Sequence, residues 1–256
     1  MDTSRADMTD ITVVMATYKQ AKYLEEAIDS ILTQLGVHSV MYASVVFRDR
    51  DTRIAMEPLG VRYAGRIFKL FNDKPDMWKQ RQRGLMASSF TDNICFFDSD
   101  DVMLPGWLER GLKVAEEISS RGKVPIVGPS YRMVDEKLFP IQDVILPEFS
   151  MDKMMNGCII PDFSITTSEA LRSVGGFFDP SGYDPGNPYY SYAMFLRLLK
   201  KYSDEIEVKL LPDIGFLYRQ HKKAMHHKFA LTKKRSRENV RRQQEIAKHY
   251  FPEGCK

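Results

Sequence analysis

Phe96-Phe97-Asp98-Ser99-Asp100-Asp101 places three carboxylates directly after an apolar run. Ile94-Cys95-Phe96-Phe97 has the composition of a short buried strand, bounded upstream by Thr91-Asp92-Asn93. Downstream, Leu104-Pro105-Gly106-Trp107 has the form of a helix start, with Pro105 near the first helical position. The carboxylates therefore fall on the loop at the C-terminal end of a strand, where open α/β sheets bind ligands. An Asp-x-Asp there can hold a divalent cation through hard oxygen ligands, and the cation can neutralise a diphosphate. A cluster of helix-capping aspartates is the competing reading.

The flanking sequence supplies more of the same architecture. Ile11-Thr12-Val13-Val14-Met15 is a β-branched apolar run and predicts a buried strand, followed by the polar turn Ala16-Thr17-Tyr18-Lys19-Gln20. Tyr23, Leu24, Ala27, Ile28, Ile31, Leu32 and Leu35 form one helical stripe, with Gly36 as its stop. Val40 to Phe47 predicts a second strand ending in Arg48-Asp49-Arg50-Asp51, and Val61 to Leu70 includes a third. Met77 to Ser89 reads as a helix carrying Arg81 and Arg83, and Trp107 to Ile118 as the helix after the acidic cluster. Strands alternating with helices indicate a doubly wound α/β sheet. The second half is less regular. Val124–Val127 and Ile159–Thr166 are candidate strands, Ser168 to Val174 a short helix ended by Gly175-Gly176, and Tyr192 to Tyr202 a longer one.

At 256 residues the chain can bury a substantial core, and no internal repeat or low-complexity linker divides it. Cys95, Cys158 and Cys255 are odd in number and scattered, so neither a disulfide framework nor a thiolate metal site is indicated. The polar start, Met1 to Asp10, lacks the apolar core of a signal peptide, and no apolar run is long enough to cross a bilayer. These features predict a soluble, cytoplasmic protein. The formal net charge is +3, but Arg219 to Lys248 holds eleven Lys and Arg against Glu238 and Glu245. That leaves the first 218 residues mildly acidic and points to an anionic partner, with a solvated basic helix as the plain alternative.

Taken in order, these pieces resemble the inverting glycosyltransferases of family 2, which have the GT-A fold: a Rossmann-like mixed sheet flanked by helices. The resemblance covers residues 11 to 221. Ile11 to Tyr18 is similar to the family's opening strand, and Tyr23-Leu24-Glu25-Glu26-Ala27-Ile28-Asp29-Ser30-Ile31 to its first helix. Phe97-Asp98-Ser99-Asp100-Asp101 with Pro105-Gly106-Trp107-Leu108 resembles its Asp-x-Asp (DXD) signature and trailing helix. Val174-Gly175-Gly176-Phe177, Phe195-Leu196-Arg197-Leu198 and the closing Tyr218-Arg219-Gln220-His221 follow in the family's order. Order as well as residue type gives the match its weight.

The resemblance implies a soluble enzyme of the EC 2.4 class that moves a sugar from a nucleotide donor, most simply a UDP-sugar, to an acceptor hydroxyl with inversion. It further implies Mn²⁺ or Mg²⁺ as cofactor. The nucleotide-binding half would span about 11–105 and the acceptor half about 106–218, within a transferase domain of residues 1–218, with 219–256 as a basic helical C-terminal segment. Carried over residue by residue, Ala16, Thr17, Tyr18, Asp49, Arg81, Asp98, Ser99 and Asp100 would bind the donor. Asp98, Asp100 and His221 would hold the metal, while Asp101 would cap the next helix. Arg83 is an alternative to Arg81 for the diphosphate, since a guanidinium makes paired contacts to phosphate oxygens.

One departure stands out. The family draws its base from a Glu-Asp pair just before the Leu-x-x-Arg helix, and alignment on Arg197 puts Tyr190-Ser191 there. Neither side chain is a carboxylate, and an inverting transfer needs a group to take the acceptor proton. Asp184, in Tyr183-Asp184-Pro185-Gly186, is the expected catalytic substitute, with Asp179 second. An acceptor that needs no enzymic base, or a protein that binds donor without efficient transfer, are the other solutions. The second of these defines an alternative function, a nucleotide-sugar or polyanion-binding module on a degenerate transferase fold. A nucleotidyltransferase fits less well, because the turn after the first strand has no glycine. The acceptor itself is open between a polyanion such as modified DNA and a membrane-associated molecule. Lys233-Lys234-Arg235-Ser236-Arg237 and Arg241-Arg242 suit phosphates, and Leu231, Val240, Ile246 and Tyr250 make no clean apolar stripe.

Overall fold

The computed structural model describes residues 10–89, 91–222 and 233–254. Four strands, β1 (Ile11–Thr17), β2 (Ser39–Val46), β3 (Ile67–Asn72) and β4 (Asn93–Asp98), pair in parallel in the order β3-β2-β1-β4. A second sheet has the order β5-β9-β6-β7, from β5 (Val102–Met103), β6 (Val124–Val134), β7 (Pro140–Val144) and β9 (Ile206–Arg219). Here β6 and β9 run parallel, with β5 and β7 antiparallel to their neighbours. The two-residue β8 (Thr166–Thr167) closes the far side of β4 in antiparallel register. This is the mixed sheet with flanking helices that the sequence predicts.

Period-2 alternation explains how the parallel sheet is covered on both faces. Val13, Met15, Met41, Ala43, Cys95 and Phe97 point into one core, with α1 (Leu24–Leu32), α4 (Trp107–Ser119) and Phe216 of β9. Val14, Tyr42, Ile94 and Phe96 point into the other, against α3 (Met77–Ala87), α6 (Ser168–Ser173) and α7 (Tyr190–Tyr202). The first core joins the two sheets. In α1, Leu24, Ala27, Ile28, Ile31 and Leu32 supply the buried face, at the spacing of one helical stripe.

Helix α3 lies against β1 at Gly84, where an added Cβ would stand 2.3 Å from Val14 Cγ1. Val14 is itself fully buried and β-branched, so it cannot swing aside. Gly84→Ala is expected to cost about 1–3 kcal/mol by overpacking. Denaturant titration would read this as a lower midpoint at unchanged slope.

Several sequence expectations are corrected. Helix α1 ends at Leu32, and Leu35 is 84% exposed, so it is not part of the stripe; Gly36 sits at φ +72° in the turn beyond. Arg50-Asp51, expected at the end of the second strand, and Val61-Arg62, expected in the stretch holding the third, belong to α2 (Arg50–Arg62), and β3 begins only at Ile67. Helix α2 buries just Thr52, Met56 and Leu59 and contains Pro58, which is why no apolar stripe announces it. Pro105 lies before α4, whose N-cap is Gly106 at φ +74°. Residues 159–165 are mostly loop, with one bridge from Ile165 to Val127. Helix α5 (Met151–Asn156), β7 and β9 were not anticipated, and β6 runs on to Val134.

The basic segment contains α8 (Lys233–Tyr250), which buries Ile246, Ala247 and Tyr250 against the core beside α5 and α7. Leu231 and Cys255 fall outside the described residues, as do the side chains of residues 233–236. No helix among the described residues is long and apolar enough to cross a membrane.

Candidate active site

The acidic turn forms where β4 ends, beside the C-terminal end of β1, with Ala16 in register with both Asp98 and Ser44 of β2. One carboxylate oxygen from each of Asp98, Asp100 and Asp101 can be chosen so that all lie within 4.8 Å of one another. Such crowding of like charge is held in place by two buried arginines.

Arg81, on α3, has no exposed side-chain surface. Its Nη2 donates to Asp98 Oδ1 at 2.6 Å and its Nη1 to Asp162 Oδ2 at 2.5 Å. The guanidinium lies 5.4 Å from the Trp78 ring and 5.9 Å from that of Phe96. Burial raises the Asp98 carboxyl above its ordinary range; Arg81 opposes the shift, and Asp100 and Asp162 add to it. Arg83, the alternative, is exposed and donates to the Phe71 carbonyl, away from the turn.

Arg219, at the end of β9, is the second clamp. Its backbone N–H donates to Asp101 Oδ1 at 2.8 Å and its Nε to the Asp100 carbonyl at 2.6 Å. Nη1 reaches the Glu136 carbonyl at 2.9 Å, Nη2 pairs with Glu26, and the group lies 4.8 Å from the Tyr23 ring. Asp101 therefore does not cap α4, as the sequence suggested, but fastens the turn to β9. Burial, followed by Asp100 and Asp98, pushes its carboxyl well above the usual range.

Asp100 Oδ2 accepts from Gln20 Nε2 at 2.9 Å and stands 2.8 Å from His221 Nε2. His221 is buried, its ring centroid 5.0 Å from that of Tyr23. Sequence positions 100 and 221 thus meet as the closing motif suggested. The donor set is hard oxygen with one imidazole, suited to Mg²⁺ or Mn²⁺. The residues fit such an ion: Asp101 Oδ2 is buried with no hydrogen-bond partner among the described residues, in a turn whose carboxyls repel one another.

The remaining expected donor residues line the ends of β1 and β2. Tyr18, just beyond β1, is 40% exposed. Thr17 is buried, its hydroxyl donating to the Ser44 carbonyl at 3.1 Å and its N–H to Gln80 Oε1. Asp49 is buried as the N-cap of α2, with Oδ2 accepting from Lys19 N at 2.5 Å and Oδ1 from Thr52 N at 3.4 Å. Ser99 is buried within the turn.

Asp184 is exposed on the loop between α6 and α7, and its hydrogen bonds are to that loop and to α7. Its Oδ1 accepts from Tyr190 OH at 2.7 Å and Gly186 N at 2.8 Å, and these bonds hold its carboxyl below the usual range. Tyr190 in turn packs 5.6 Å from Trp78. Ser191, at the other family position, has a buried hydroxyl with no partner among the described residues. Helix α8 braces this loop. Tyr183 stacks on His249 at 3.7 Å, Tyr189 OH donates to Asn239 Oδ1 at 2.7 Å, and Tyr250 OH donates to Asp179 Oδ2 at 2.6 Å.

Sequence reasoning missed Gln20, Asp162 and Arg219 as members of the site. Gln20 stood in the turn already singled out, and Arg219 in the closing motif. Asp162 carried no signal, because it reaches Arg81 across 81 residues of chain.

A family model described as glycosyl transferase family 2 matches residues 12–141. No curated protein matches the chain. Among solved structures, it is similar to S. aureus TarS residues 1–349 in complex with UDP-GlcNAc, at 12% identity and TM-score 0.64, covering 95% of this chain and 72% of that one. The same fragment in complex with UDP gives 14% identity and TM-score 0.60, over 95% and 71% of the two chains. At such identity the likeness shows the fold, a GT-A fold. The family match, over half of the sequence and in step with the acidic turn at the end of β4, shows that the chain belongs to glycosyl transferase family 2.

Proposed function

We propose that this glycosyltransferase moves a sugar from a UDP-sugar to an acceptor hydroxyl with inversion and depends on a divalent cation. The observation that carries the reading is the acidic turn at the C-terminal end of β4, aimed by Arg81 and Arg219. The UDP-GlcNAc and UDP complexes of TarS, which shares the fold, support UDP as the donor's nucleotide. Residues 11–105 form the donor half in this reading and 106–218 the acceptor half, with 219–256 attached to the latter.

Mn²⁺ or Mg²⁺, held by Asp98 and Asp100 with His221 completing the set, would neutralise the diphosphate as it leaves. Gln20 and His221 fix the direction of the Asp100 carboxylate. Arg81 gives both Nη atoms to carboxylates, so it sets Asp98 rather than gripping phosphate itself. Tyr18 offers an exposed ring beside β1 for the nucleobase, while Thr17 and Asp49 stiffen the turns around it. Asp184 belongs to the acceptor loop that Tyr190 and α8 support.

A thermal-shift panel of sugar nucleotides with and without Mn²⁺ tests the proposal. A ligand bound only by the native state raises its melting temperature, by an amount equivalent to about 2.7 kcal/mol at a hundred times Kd. UDP-sugars with Mn²⁺ are expected to give the largest shift. No shift with any donor would sink it.

A further inference from the structure

The base left unassigned by Tyr190-Ser191 has a better candidate than the acceptor-loop carboxylate. Three features of Asp162 point the same way. It shares a fully buried guanidinium with Asp98, so the two carboxylates flank one Arg81 side chain. Their side chains are similarly open, 28% exposed for Asp162 and 31% for Asp98. And Asp162 Oδ2 is fixed by Arg81, while its Oδ1 has no hydrogen-bond partner among the described residues.

Its backbone is equally constrained. Ser164 N–H and hydroxyl both donate to the Pro161 carbonyl, closing a turn around Asp162. Phe163 drives into the core, 5.1 Å from Phe97 of β4 and 4.1 Å from Phe216 of β9. Pro161 lies so close to β6 that a Cβ on Gly128 would fall 2.9 Å from its ring. A carboxylate held this way needs little reorganisation to act.

Topology puts it on the correct flank. The sheet order is β3-β2-β1-β4-β8, with the donor residues at the ends of β1 and β2. Asp98 ends β4, and Asp162 leads into β8 on the other side. Inversion requires attack opposite the leaving diphosphate, so the base belongs on the flank away from the nucleotide. Asp184 is more exposed, and its Oδ1 is already taken by Tyr190 OH and Gly186 N–H.

We infer that Asp162 is the general base of the transfer, an inference that rests on the proposed donor site. The acceptor O–H proton passes to Asp162 Oδ1 as the acceptor oxygen bonds to the anomeric carbon. The bond from that carbon to the phosphate oxygen breaks, and its electron pair leaves on the nucleoside diphosphate.

The test uses UDP release from UDP-GlcNAc with Mn²⁺, with water as acceptor, in the full chain. Asp162→Asn keeps an oxygen for Arg81 Nη1 but cannot take a proton. It is expected to lower kcat by about 10²–10⁴-fold, with KM for the donor and the UDP/Mn²⁺ thermal shift unchanged. Formate is expected to restore part of the turnover of Asp162→Ala. Asp162→Asn keeping more than a tenth of wild-type turnover would overturn the assignment. So would loss of the donor shift along with turnover, or failure of formate to rescue. Wild type that shifts with UDP and Mn²⁺ yet releases no UDP rejects transfer itself; no shift at all rejects the donor site beneath it.

Discussion

Asp100→Ala is expected to abolish the Mn²⁺-dependent part of the UDP thermal shift and to lower turnover by at least about 10²–10³-fold. Asp100 is where three parts of the chain converge: Gln20 from the turn after β1, His221 beyond β9, and the acidic turn itself. Removing its carboxylate deletes an anionic ligand and leaves both neighbours without their acceptor. Its side chain is mostly buried, so a control for folding is needed. Unliganded melting temperature and circular dichroism supply it, and Asp100→Asn preserves shape while removing charge. Both variants should lose the metal-dependent shift even where the fold persists. A retained shift would place the cation elsewhere.

Arg81→Met is expected to be the most damaging single change to stability, at about 3–5 kcal/mol, since it strips two carboxylates of their shared buried partner. For a chain of this size that corresponds to a fall in Tm of roughly 6–20 °C. Methionine refills the volume between Trp78 and Phe96, so the loss reports charge rather than a cavity. The pH dependence has a definite sign. A carboxyl raised in the folded state disfavours folding once it must ionise, so its penalty is absent below the unfolded pKa and grows as pH rises through the folded one. Burial already raises Asp98 with Arg81 present. The deficit of the variant should therefore be larger at pH 8 than at pH 5, as measured by paired denaturant curves.

What could be read directly from sequence was whatever depends on near neighbours. The β1 and β4 runs, the α1 stripe up to Leu32 and the Asp98–Asp100 spacing are local patterns, and they appear where expected. Helix α2 was not legible, because its capping Asp49 precedes a segment with almost no buried face. Strand β9 was hidden by its register shifts against β6 at Pro129, Ser130 and Tyr131, which break the alternation. The roles of Asp101 and Asp162 depended on partners 118 and 81 residues away. A capping role for Asp101 was reasonable from its neighbours alone; the backbone of Arg219 took its carboxylate instead.

The brace across the Phe178–Tyr189 loop also bears on when this molecule becomes competent during its synthesis. The four parallel strands from Ile11 to Asp98 are close together in sequence and can pair early. The loop must wait for a partner 71 residues downstream, the separation between Asp179 and Tyr250. At ribosomal speeds that is an interval of roughly 4–14 s. Throughout it, Tyr183 and Asp179 lack His249 and Tyr250, so a nascent chain would pair its first four strands before this loop gained its brace.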